Sequence, residues 1–326
     1  GSGIYANNSI NGTGLSITTT NDTTGSASGV EAKNYGSGNL YINAGGITTG
    51  NGVNDYGISA SNSPNGVDLV IVADTVIGGY QGIRAGNGGK GQLSITTTGT
   101  ISGRYDTGIH ATNNATGTDF TIVSAITTGA FYGIYARAKG YGDMSITTTG
   151  ATTAYGKNAA SGIDAQNSNR GANLNITAST TTGALDGIWA RQRGTEALTI
   201  NITGAIEGTE RYGIYAWNEK GTSLTITNTI NNASNITGGA FGIYASNDGT
   251  GALSITASGV TSAQNTEGVD NAGILAWNGA DSTGDLTITA NETYGADFGI
   301  YAKNEGHGIL SITTTGRTTT ANDSTS

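Results

Sequence analysis

The sequence predicts an all-β fold, a parallel β-helix (β-solenoid) of about twelve three-strand coils. Three observations predict it. A stretch that opens Gly-Ile-x-Ala, with Val30 for Ile in one copy, recurs from Gly3, Gly29, Gly57, Gly82, Gly108, Gly133, Gly162, Gly187, Gly213, Gly242, Gly273 and Gly299, at steps of 25 to 31 residues. A period of roughly 20–50 residues is the mark of a solenoid or array. Each copy then carries Leu-x-Ile-x, with Phe120 and Met144 as the only substitutes for Leu, and its isoleucine is present in every copy from Ile17 to Ile312. Both segments alternate with period two, which argues for half-buried strands and against helices.

The elements of one coil follow in order. In the first strand Ile and Ala point inward and the residue between them outward. An Asn stands two residues after the Ala in ten copies, with Ala138 and Gln192 in the other two. Asn tolerates a sharp bend, and its amide can bond to the same residue of the next coil, so the first corner is expected to carry an asparagine ladder. In the second strand Leu and Ile point inward and mostly Ser or Thr outward. A third, weaker apolar position follows at Ile47, Ile101, Ile126, Ile206, Ile230 and Val260. Three large aliphatics per coil contribute roughly 1.5–3 kcal/mol each in gross burial, too little to order a lone coil at ~1–2 kcal/mol per residue. Stacked neighbours must supply the remainder.

The uninterrupted repeat is expected to form a single domain over residues 1–326, with residues 318–326 as the start of a linker. Insertions at Tyr155–Ser161, Asn231–Thr237 and Gln264–Asn271 read as surface loops. The 55 glycines show no Gly-X-Y period, which excludes collagen, and the periodic apolar positions oppose disorder. No cysteine is present, so the core needs no disulfide. A net charge of −9 with only 14 basic residues opposes nucleic-acid and anionic-membrane binding.

These coils, Gly299-Ile300-Tyr301-Ala302, then Asn304, then Leu310-Ser311-Ile312-Thr313-Thr314-Thr315-Gly316, resemble the passenger domains of bacterial type V autotransporters. The resemblance spans nearly the whole chain and is specific for architecture more than for activity. It implies a right-handed β-helix, location on the bacterial outer membrane or release outside the cell, and membrane attachment only through a C-terminal barrel absent from these residues. Family roles include adhesion, self-association, cytotoxicity and signalling to host endothelium. The expectation is therefore an adhesin or virulence factor that binds a host cell-surface protein. The alternatives are a released ligand that stimulates endothelial cells and a passive stalk or self-association module. Both chain ends lack a polar cap, so end-to-end association is expected.

No enzyme and no cofactor or metal is expected. The two histidines, His110 and His307, lie seven coils apart, and neither a Gly-Asp-Ser-Gly nucleophile motif nor a Gly-Gly-x-Gly-x-Asp calcium repeat occurs. The outward acids Glu31 and Asp164 are far apart along the stack. Outward Ser/Thr pairs on the second strand suggest an ice-binding ladder, but Tyr41, Val70, Val72, Asn175 and Asn201 interrupt it.

The outward face of the first strand carries the candidate binding residues. From the sixth copy onward it gathers Tyr135, Arg137, Trp189, Arg191, Tyr215, Trp217, Tyr244 and Trp277, with Lys139 and Arg193 adding charge; all three tryptophans of the chain lie here. Trp, Tyr and Arg are the types enriched at interaction hot spots. The competing reading is aromatic stacking along a sheet, which stabilises the sheet itself.

Overall fold

A computed structural model describes residues 1–157, 159–229, 235–265 and 271–320. The chain divides into two compact units, one of residues 1–159 with 170–172, the other of residues 160–169 with 173–326. Each unit is a stack of six coils of parallel strands, and the described residues contain no helix. No helix is therefore long and apolar enough to cross a membrane.

The alternation read from the sequence is the alternation of burial. In the first unit, Ile58, Ala60 and Asn62 are buried while Ser59 and Ser61 face out. Successive coils pair in register, so Ile58 lies beside Val30 and Ile83, and Ile71 beside Ile42 and Ile95. In the second unit Ile188, Ile214, Ile243, Ile274 and Ile300 form one inner column, and Leu198, Leu224, Leu253, Leu286 and Leu310 another. Phe120 and Met144 fill the Leu position and are fully buried. Identical side chains stacked at the strand spacing leave no apolar surface between coils, which is how short strands share one core.

The asparagine ladder forms. In the first unit each amide Nδ2 donates to the Oδ1 of the next, Asn8 to Asn34 at 2.8 Å, Asn34 to Asn62 at 2.9 Å, and Asn62 to Asn87 and Asn87 to Asn113 at 3.1 Å. In the second unit Asn218 donates to Asn247 at 2.7 Å, Asn247 to Asn278 at 2.8 Å and Asn278 to Asn304 at 3.1 Å. The second amide hydrogen reaches a carbonyl beyond the bend, as from Asn247 to Gly251 at 2.8 Å. One side chain thus satisfies the corner backbone and ties two coils. Gln192 sits in the same column and reaches the Ala197 carbonyl at 3.2 Å.

The third strand corrects the sequence reading. Ile101 and Ile206 point inward as expected, but Ile47 and Ile126 are each 43% exposed and Val260 is half-exposed. The inward column instead runs Thr23, Thr48, Val76, Ile101, Thr127 and Thr152 in the first unit. In the second it runs Thr181, Ile206, Ile236, Thr261, Thr293 and Thr318. Threonine matches valine in shape, so a column read for apolar residues alone slips by one position. Ile230 lies outside the described residues, as do parts of the three insertions and residues 321–326 of the expected linker. Thr318–Thr320 form a strand paired to Thr293–Gly295. Asp164, placed outward by alternation, is 7% exposed.

Candidate interaction face

Across three coils of the second unit, between Asp164 and Leu275, the outward side chains of the first strands form an aromatic stack. Trp189 and Tyr215 lie opposite each other in register, as do Tyr215 and Tyr244. Their rings are nearly parallel, at 5.7 Å and 8° for the first pair and 5.2 Å and 14° for the second. Offset pairs of this kind contribute about 0.5–1.5 kcal/mol beyond burial. Tyr212 and Phe241 stack beside them at 5.6 Å, and Tyr212 lies 5.1 Å from Tyr215.

Strict alternation would turn Tyr212 inward, because it has the parity of Ile214. The consecutive buried residues Gly213 and Ile214 break that alternation and return Tyr212 to the outer face. The signal was present as an aromatic column immediately before the motif glycine at Tyr132, Tyr212, Phe241 and Phe298.

Burial and the neighbouring phenols push the Tyr215 hydroxyl up to about 12. Burial also raises Tyr212, and burial followed by the Asp248 charge raises Tyr244. These phenols stay neutral at physiological pH and act as amphipathic rings with a donor.

The basic residues of this face have acidic partners that the sequence reading missed. The Arg191 guanidinium lies 4.3 Å from the Trp217 ring centroid, and its Nη2 and Nε donate to Glu219 Oε2 at 2.8 and 3.1 Å. Arg193 Nε lies 3.1 Å from the same oxygen but outside hydrogen-bond alignment. Trp217 Nε1 donates to Asp248 Oδ2 at 2.7 Å. Glu219 and Asp248 each stand two residues beyond an outward first-strand position, across the corner from the strand, and so escape a reading that stops at the Asn.

Trp277 is 36% exposed. One depression is lined by Tyr215, Trp217, Tyr244, Ser246, Asp248 and Trp277; a second, more apolar one by Tyr244, Leu275, Trp277, Phe298 and Tyr301. Trp277 stands between them. Lys303 Nζ is 4.6 Å from its ring and 2.6 Å from Glu305.

The remaining sequence-predicted residues, Tyr135 and Arg137, belong to the first unit. Arg137 lies over the Tyr135 ring at 3.8 Å and donates to the Ala136 carbonyl at 3.0 Å. Tyr135 packs on His110 at 4.8 Å and on Tyr132 at 5.0 Å. Among the described residues no group of three or more His, Cys, Asp or Glu side chains could hold a metal.

What fold and face together define is a parallel β-solenoid with an aromatic outer surface. No family model, no curated protein and no solved structure matches the chain.

Proposed function

We propose that this protein is a surface-exposed or released bacterial passenger domain of the autotransporter type, and that it binds a host cell-surface protein through the aromatic face of its second unit. The observation that carries the proposal is Trp277. Trp189, Tyr215 and Tyr244 are occupied with one another, whereas Trp277 presents over a third of its surface to solvent between two depressions. Large aromatics of this kind are the usual anchors of protein interfaces. The acidic balance of the chain and the compensation of Arg191 by Glu219 favour a protein partner over a polyanion.

A second reading is favoured by a separate observation. The regular Trp189–Tyr215–Tyr244 stack serves the sheet whether or not anything binds, as a stalk requires. Binding of the purified protein to cultured host cells separates the two. Trp277→Ala is expected to weaken binding by about 2 kcal/mol or more with the melting profile unchanged. Trp189→Ala is expected to lower the melting point more than the binding. Full binding by a Trp189, Arg191, Trp217 and Trp277 quadruple alanine variant would make the face a stacking device and put the partner's site elsewhere, on the three inserted loops; no binding by the unaltered protein would leave the stalk reading. Proliferation of endothelial cells exposed to the free protein would identify a released signalling ligand.

A further inference from the structure

The first unit carries a different feature on its outward first-strand face, a trough of about 450 Å³ crossing four coils, within the ~300–1,000 Å³ of small-ligand sites. Its floor is made of small outward residues, Ser59, Ser61 and Gly86. One wall holds Glu31 and Lys33, closed into an ion pair at 2.7 Å. The other holds Arg84, His110 and Thr112.

Gly86 is unlike the glycines that open the repeats. A Cβ on Gly57, Gly82 or Gly108 would lie 2.7 Å from a backbone carbonyl of the next coil, whereas a Cβ on Gly86 would meet nothing within 4 Å. Its φ is also outside the left-handed region. Packing therefore does not require glycine at this strand-interior position, where glycine weakens a strand. What its missing side chain leaves is the open floor.

The donors around that floor are set. Arg84 Nη1 donates to the Tyr56 hydroxyl at 2.6 Å, with the guanidinium 5.3 Å from the Tyr56 ring centroid. Among the described residues no carboxylate lies within ion-pair distance of Arg84. Gln81 Nε2 donates to Asp106 Oδ2 at 2.6 Å, which fixes the amide orientation, and the same nitrogen lies 3.2 Å from His110 Nδ1. His110 Nδ1 must then accept, so its proton sits on Nε2 as a neutral donor. Burial and the nearby Arg84 charge, which hold His110 below the ordinary imidazole range, agree with this. The hydroxyls of Ser59, Ser61 and Thr112 have no hydrogen-bond partner among the described residues.

We infer that this trough binds an acidic sugar, with the ligand carboxylate on Arg84 and its hydroxyls on Ser59, Ser61, Thr112 and the Nε2–H of His110. A planar fork of N–H donors matches a carboxylate. One lining cation without a carboxylate at ion-pair distance suits a monoanion better than a phosphate or nucleic acid, and clustered hydroxyls beside the Glu31–Lys33 pair suit a polyhydroxylated ring. The trough belongs to the first unit and the aromatic face to the second, with no lining residue in common, so either can fail without the other.

The experiment is calorimetric titration of the protein with a hexuronic-acid disaccharide, its carboxyl-reduced neutral counterpart and a sulfated neutral disaccharide. The expected result is saturable binding of the uronic form, about tenfold tighter than the neutral form. Arg84→Gln should erase that preference. Gly86→Phe should abolish binding of both forms with a melting point no lower than that of the unaltered protein, because the new ring enters open space. Absence of saturable binding at millimolar ligand overturns the inference. So does equal affinity for the neutral disaccharide, preference for the sulfated one, or undiminished binding by Gly86→Phe.

Discussion

Thr127 and Thr152 face each other on adjacent coils, both fully buried, yet only one of the two hydroxyls is hydrogen-bonded. Thr127 Oγ1 lies 2.5 Å from Ser124 Oγ, which also accepts from Thr97 at 3.1 Å. The Thr152 hydroxyl has no partner, nor do those of Thr48 and Thr261 in the same inner column of their coils. Thr152→Val keeps the shape and removes an unsatisfied buried donor and acceptor, so it should stabilise the protein by about 1 kcal/mol. Thr127→Val leaves the buried Ser124 hydroxyl with only its Thr97 bond and should destabilise by a similar ~1 kcal/mol. Denaturant unfolding of the two variants checks this, and equal shifts of the same sign would show that the column does not discriminate between them.

Two glycines of the outward strands are expected to respond oppositely to a methyl group. A Cβ on Gly213 would lie 2.6 Å from the Gly242 carbonyl oxygen and 2.8 Å from that of Thr237, both backbone atoms that cannot move alone. Gly213→Ala should cost about 1–3 kcal/mol. Gly86→Ala meets no atom and restricts the unfolded chain, so it should stabilise by about 0.4–1 kcal/mol. Thermal unfolding of the pair is the measurement.

The phenol of Tyr215 should titrate near 12, against an ordinary value of 10.0. The folded state then holds this proton more tightly than the unfolded chain does. Its contribution is fully present below pH 10 and is lost as pH rises from 10 toward 12. Tyrosinate absorbance of the wild type minus that of Tyr215→Phe should show the late transition. The variant should also lose stability less steeply across that window. A difference titration centred at the ordinary value would place Tyr215 in solvent instead of in the stack.

The sequence by itself determined the coil. Gly-Ile-x-Ala, the corner Asn and Leu-x-Ile recur at steps of 25 to 31 residues, and period-two alternation left one assignment of inward and outward faces for the first two strands. The ladders of Ile, Leu and Asn follow because parallel pairing in register stacks like on like. The third strand was not legible, because Thr and Val are isosteric and the inward column mixes them, so Ile47 and Ile126 drew the reading one residue off. Tertiary structure alone decided the surface chemistry. Glu219 and Asp248 answer Arg191 and Trp217 from beyond the corner, and Tyr212 returns to the outer face at a break in the pleat. The trough at Gly86 arises from residues of four coils that are unremarkable singly, with equivalent positions 25 to 28 apart in the chain. Local periodicity fixes which way a side chain points. What it meets there depends on neighbours one coil away and on the residues beyond the corner Asn, which carry no period.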